Sequence, residues 1–150
     1  MTPWNNSKMQ ANLITAFKFR NALLIDDNHI DNMINKRILL NHDIAENIHV
    51  SISGAEALNY LDEHQNDPDL FPDLIFLDIR MPEMDGFQFL DAYEQLQTPL
   101  KSSTIIYMLS SSLDPTDQRK VAENKYVFKF MGKPLSQSHL QTLLNEKKPD

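Results

Sequence analysis

Leu74-Ile75-Phe76-Leu77-Asp78-Ile79-Arg80-Met81-Pro82-Glu83-Met84-Asp85-Gly86 is the stretch that decides the fold. Four consecutive apolar residues, halted by an acid and followed by a turn marked by Pro and Gly, read as a strand buried on both faces. Such a strand needs helices over both sides of its sheet. The helical spacing of Phe87, Leu90, Tyr93, Glu94 and Leu96 just beyond it supplies one.

Outward from this block the same alternation continues. Upstream, Ala22-Leu23-Leu24-Ile25 ends in Asp26-Asp27, and Ile30, Met33, Ile34, Ile38 and Leu40 follow at helical spacing. Asp27, Asn28 or Asp31 can cap that helix. Ile48, Val50 and Ile52 alternate as a short strand, and Ser53 caps a helix carrying Ala57, Leu58 and Leu61, with Glu56 at the capping-box position. Asn66-Asp67-Pro68-Asp69 is a turn cluster. Downstream, Ile105 to Leu109 form a fourth strand ending at Ser110-Ser111-Ser112, and Asp114-Pro115 open a helix. Val127 to Met131 form a fifth strand, and Ser136 to Lys147 a closing helix. The turn before the fifth strand falls to Asn124-Lys125, where Asn tolerates a left-handed backbone. No internal sequence repeat is apparent.

Five apolar strands alternating with five helices predict an α/β fold, a doubly wound five-stranded parallel sheet with helices on both faces. Ligands of such sheets bind outside the carboxyl ends of the strands. Strand ends one, three, four and five carry Asp26-Asp27, Asp78, Ser110 and, just past Gly132, Lys133; the second brings no comparable group.

Composition narrows the chemistry. The chain has 150 residues, a net charge of −7 and no cysteine. An acidic balance argues against phosphate-backbone binding, and the absence of thiols excludes disulfides and thiolate metal sites. No apolar run approaches the roughly 20 residues of a membrane span. A soluble, cytoplasmic protein is expected. His29, His42, His49, His64 and His139 lack metal-ligand spacing, and no Walker loop, dinucleotide fingerprint or G-x-S-x-G motif occurs. Residues 1–20 hold Lys8, Lys18 and Arg20 without an acid and read as an N-terminal extension to a domain over residues 21–148. Within it Met9, Leu13, Ala16 and Phe17 share one face of a possible helix, with Trp4 upstream.

Three carboxylates at one sheet edge repel unless a positive charge joins them. A hard divalent cation with oxygen ligands answers this, and Mg2+ takes one or two carboxylates plus waters and phosphate oxygens.

Leu23 to Asn28, Asp73 to Gly86, Leu109 to Ser112 and Gly132-Lys133-Pro134 together resemble the receiver domain of two-component response regulators, in family order over about residues 20–147. The resemblance implies a flavodoxin-like receiver fold of the stand-alone, chemotaxis-regulator-like type. It makes Asp78 the phosphoacceptor that attacks a phosphohistidine of a sensor histidine kinase or a histidine phosphotransfer protein. It assigns Mg2+ to Asp27, Asp78 and the backbone carbonyl of Arg80, with Asp26 acting through water. Lys133 and Ser110 then serve the phosphoryl oxygens, Ser110 and Phe130 form a switch, and Lys133-Pro134 matches the family's cis peptide. Arg80 and Ser112 occupy positions that vary in the family and influence phosphoryl lifetime.

The short tail after Lys133 leaves no room for an output domain, so output is expected through a downstream protein target or a phosphorelay, without direct nucleic-acid contact. The chain is read as an acceptor rather than an enzyme. Two alternatives stand beside this reading. One is a receiver-like binding module that is never phosphorylated. The other is a Mg-dependent aspartyl-phosphate phosphatase, although adjacent Asp26-Asp27 depart from the D-x-D pattern such enzymes carry after strand one.

Overall fold

A computed structural model describes residues 17–145. In chain order these form β1 (Phe19–Ile25), α1 (His29–Asn41), β2 (Ala45–Ser51), α2 (Gly54–Glu63), β3 (Leu74–Asp78), α3 (Gly86–Glu94), a 3-10 helix (Pro99–Ser103), β4 (Ile105–Ser110), α4 (Pro115–Glu123), β5 (Val127–Gly132) and α5 (Gln137–Asn145). The strands make one parallel sheet in the order β2-β1-β3-β4-β5.

The apolar runs divide between two cores. Leu24, Phe76 and Tyr107 join Leu39 of α1 and Leu140 and Leu143 of α5 on one face of the sheet. Leu23, Ile75, Leu77 and Met108 join Ala57 and Leu61 of α2, Phe89 and Leu90 of α3 and Val121 of α4 on the other. Every residue of β3 is buried, as its unbroken apolar run requires. Register then delivers the site: Ile25 pairs with Leu77, Asp78 with Leu109, and Ser110 with Gly132.

Local differences from the sequence reading have physical causes. β1 begins at Phe19, which is fully buried, inside the segment read as an extension. Polar Arg20 and Asn21 belong to the strand because their amides donate to the two carboxylate oxygens of Asp73, at 3.0 and 2.9 Å. The helical face drawn through Met9, Leu13 and Ala16 lies outside the described residues. β2 ends at Ser51 and leaves Ile52 exposed. Asn124 is not left-handed (φ −85°); its side chain accepts from the Tyr126 amide at 2.9 Å, and that side-chain turn replaces the expected backbone one. Among the described residues, those with positive φ are Asp43 and Glu83.

α3 starts with a reciprocal capping box between Asp85 and Gln88 and ends two residues short of Leu96. There Lys101, from the unforeseen 3-10 helix, donates to the carbonyls of Tyr93 and Glu94 at 3.1 Å each. β5 is an edge strand with a register shift: Ile106 pairs with Val127 but Tyr107 with Lys129, so Phe128 is the extra residue. A bulge and a lysine on an edge strand both discourage pairing with a second sheet.

Candidate functional site

Asn28 sets the geometry of the first loop. Its side chain caps α1 by accepting from the amides of Ile30 and Asp31, at 2.9 and 3.0 Å. That phase turns Asp31, in the first turn of α1, towards the sheet edge. Asp26, buried, accepts from the Asn28 amide through Oδ1 at 2.9 Å, and its carbonyl receives the amide group of Asn32 at 2.7 Å. Asp27, next along, is exposed.

Lys133 reaches this loop from the far side of the site. The Lys133–Pro134 peptide is cis, as the family pattern implies, and the Lys133 amide donates to the Ser110 carbonyl at 2.9 Å. The Lys133 side chain is only 10% exposed, and its Nζ lies 2.8 Å from Asp26, 2.9 Å from Asp31 and 3.3 Å from Asp78. Burial opposes the ammonium charge, but hydrogen bonds to Asp26 and Asp31 and the charge of Asp78 outweigh it and hold the amine above its ordinary pKa. Asp78 behaves in the opposite sense. Burial first, then the neighbouring charge of Asp26, push its carboxyl up to about 6 against the attraction of Lys133.

Asp26, Asp27 and Asp78 each offer a carboxylate oxygen, and these lie within 4.8 Å of one another. Three carboxylates, those of Asp26, Asp31 and Asp78, meet one ammonium, and Asp27 adds a fourth beside Asp26 and Asp78. Hard oxygen donors in negative excess fit Mg2+. Asp26 has both oxygens engaged, by Lys133 and the Asn28 amide, whereas exposed Asp27 faces the opening.

The remaining residues frame this cluster. Ser110 is buried, and its hydroxyl oxygen accepts from the Ser112 amide at 3.1 Å, which leaves its own proton available to donate elsewhere. Phe130 is half-buried at the margin of the second core, in a cleft of about 270 Å³ bordered by Gln118, Val121 and Ala122 of α4 and by Phe128 and Lys129 of β5. Gly86 is required by close approach. Its amide donates to the Ile79 carbonyl at 2.8 Å, and a Cβ there would lie 2.7 Å from the Asp78 carbonyl oxygen.

The structure thus brings Asp26, Asp27, Asp78 and Lys133 together, with Ser110 at the end of β4 and Arg80 on the loop after β3. Two features escaped the sequence reading. Asp31 stood there only as a candidate cap; assigning the cap to Asn28 would have placed it in the first turn, facing the site. The Arg80 side chain pairs with the buried Asp117 of α4, a contact between a loop and a distant helix that spacing does not reveal.

Comparison with known proteins follows this geometry. The family model for the response regulator receiver domain matches residues 22–145. A two-component response regulator from Cytophaga hutchinsonii superposes with a TM-score of 0.79 at 37% identity, over 85% of this chain and 96% of that one. Among curated proteins, the probable methanogenesis regulatory protein FilR2 of Methanothrix harundinacea is 27% identical over 124 residues, 83% of this chain and 78% of the relative. The two-component response regulator ORR1 of Oryza sativa subsp. japonica is 30% identical over 126 residues, 83% of this chain and 53% of that protein. Sheet order, the acidic strand ends and the match over nearly the whole described length agree: the chain belongs to the response regulator receiver domain family.

Proposed function

We propose that this chain accepts a phosphoryl group on Asp78 from the phosphohistidine of a sensor histidine kinase or a histidine phosphotransfer protein, in the cytoplasm, and passes the signal on through protein contacts or a phosphorelay. The observation that supports this most is the meeting of Asp78 with Asp26, Asp27 and Lys133 at the carboxyl edge of the sheet. A carboxylate oxygen of Asp78 attacks phosphorus in line. The phosphorus–nitrogen bond breaks, and the donor imidazole leaves with its electron pair. Phosphoryl transfer needs alignment and charge neutralisation more than covalent help from the acceptor.

Asp27, Asp78 and the Arg80 carbonyl would hold Mg2+ directly and Asp26 through water; a cation there supplies the charge neutralisation that clustered carboxylates cannot. Lys133 holds Asp26 and Asp31 in place and offers a fixed positive charge to the arriving group. Ser110 donates its free proton to a phosphoryl oxygen after a small loop shift. That shift vacates space beside β4 for the ring of Phe130, and the face formed by α4 and β5 changes for a downstream partner. The chain is consumed as an acceptor, one phosphoryl group per molecule, rather than turning over as an enzyme.

The test is intact mass after incubation with acetyl phosphate and Mg2+. The expected result is one added phosphoryl group, absent in Asp78→Asn and absent when the metal is chelated, but retained in Ser110→Ala and Phe130→Ala. Phosphorylation that persists in Asp78→Asn, or without metal, overturns the reading.

A further inference from the structure

We propose that Arg80 is a positioning residue that serves two anions in turn: Asp117 of α4 in the unphosphorylated chain, and the phosphoryl group on Asp78 after transfer. The proposal rests on the acceptor reading above and extends it to a second route by which phosphorylation reaches α4.

The ion pair between Arg80 and Asp117 is asymmetric. The Asp117 side chain is 5% exposed and fixed in the first turn of α4, whereas the Arg80 side chain is 61% exposed and free on its outer side. The guanidinium can therefore leave, and the carboxylate cannot follow it into water unless the helix moves. Arg80 also stands two residues after Asp78 on the loop that leaves β3.

Phosphorylation adds nearly two negative charges beside that loop. A guanidinium matches phosphate oxygens with two parallel hydrogen bonds, so the new group competes directly with Asp117 for it. A buried carboxylate that loses its cation is strongly disfavoured, and α4 relieves this by lifting its first turn into solvent.

α4 is built to yield. Of its nine residues, Pro115–Glu123, only Asp117 and Val121 are buried, so the ion pair is one of two tethers. Elsewhere Lys120 lies over the Phe87 ring at 5.1 Å, and a cleft of about 270 Å³ is lined by Gln118, Val121 and Ala122 of the helix and by Val127 to Phe130 of β5, where Val121 packs into the second core. Leu113, just before the helix, is 68% exposed and adds no anchor.

Amide hydrogen exchange across 115–123 tests this, with Mg2+ and beryllium fluoride as the stable phosphoryl-like adduct and fluorine NMR reporting its occupancy. In the wild-type chain the adduct should raise exchange in the first turn of α4 by tenfold or more. Asp117→Asn, which removes the buried charge but keeps its shape, should leave α4 exchange near the adduct-free wild-type value and change little when the adduct forms, because no carboxylate is left to lose its cation. Arg80→Gln, which leaves the buried carboxylate without its cation, should show the raised exchange without any adduct and change little when the adduct forms; the two variants keep the test open if either one folds poorly. An adduct that forms fully while α4 exchange in free Arg80→Gln stays at its wild-type value overturns the proposal alone. The same holds if both variants respond to the adduct as the wild type does. Failure of the wild-type chain to form any adduct overturns the acceptor reading and this proposal with it.

Discussion

Asp78 is a carboxyl group whose surroundings resist its ionisation, and that resistance has a measurable consequence. Its pKa rises from 3.8 to about 6, through burial first and the charge of Asp26 second. Between those two values the folded chain binds a proton that the unfolded chain has released. Stability from this group is therefore greatest below about pH 4 and falls as pH rises towards 6. A shift of this size corresponds to at most about 3 kcal/mol. In chelator, Asp78→Asn should be more stable than the wild type by about 1–3 kcal/mol at pH 7 and equal to it near pH 4, as read by urea unfolding. A difference that stays constant over that range would show that Asp78 is not strained by its neighbours. At this scale the sequence was legible where a strand stops abruptly: Asp26, Asp78, Ser110 and Lys133 all follow apolar runs. It did not show the pairing of Asp31 with Lys133 or of Asp117 with Arg80, because these partners lie about a hundred and nearly forty positions away.

Elements were legible where one force dominates. β3, β4 and the core face of α3 follow from apolar period alone; α1 does not, because Ile30, Met33, Ile34 and Leu40 of the expected face are exposed while Asn32, Asn35 and Leu39 are the buried residues, Asn32 donating to the Asp26 carbonyl. β1 was cut short because Arg20 and Asn21 look like loop residues until the Asp73 carboxylate takes their amides. The bulge at Phe128 leaves no mark in the local pattern, since Val127 to Met131 reads as an ordinary strand. The junction of β3 and α3 is the element most tightly bound to the site. A Cβ on Gly86 would meet the Asp78 carbonyl oxygen and the Met108 methyl group at 2.7 Å each, and the Ile79 Cα at 3.1 Å. The methionine can move aside; the backbone of the acceptor residue cannot. Gly86→Ala should cost about 1–3 kcal/mol in a denaturant titration. It should also slow phosphoryl uptake, because relief comes by shifting Asp78. Unaltered stability and uptake would mean that α3 tolerates a different seat on the sheet.

For the molecule as a whole, a parallel sheet with its acids gathered at one edge concentrates negative charge where the proposed function brings a cation and a phosphoryl group. The family and the doubly wound sheet could be read from the motif order before any coordinates; the coupling of that edge to the loosely held α4 could not, since it depends on which loops the fold brings together. Among the described residues no helix is long and apolar enough to cross a membrane. The central claim is that the acyl phosphate forms at one residue. It is tested most directly by treating the chain with acetyl phosphate and Mg2+, reducing it with borohydride, and sequencing all its fragments by mass spectrometry, those over residues 19–36, 74–86 and 105–120 above all. Borohydride converts an aspartyl phosphate to homoserine and leaves phosphoserine unchanged. The account predicts homoserine at position 78 alone, and none when the metal is chelated. Homoserine at position 26 or 27, or a reduction-resistant phosphate on Ser110, Ser111 or Ser112, would contradict it.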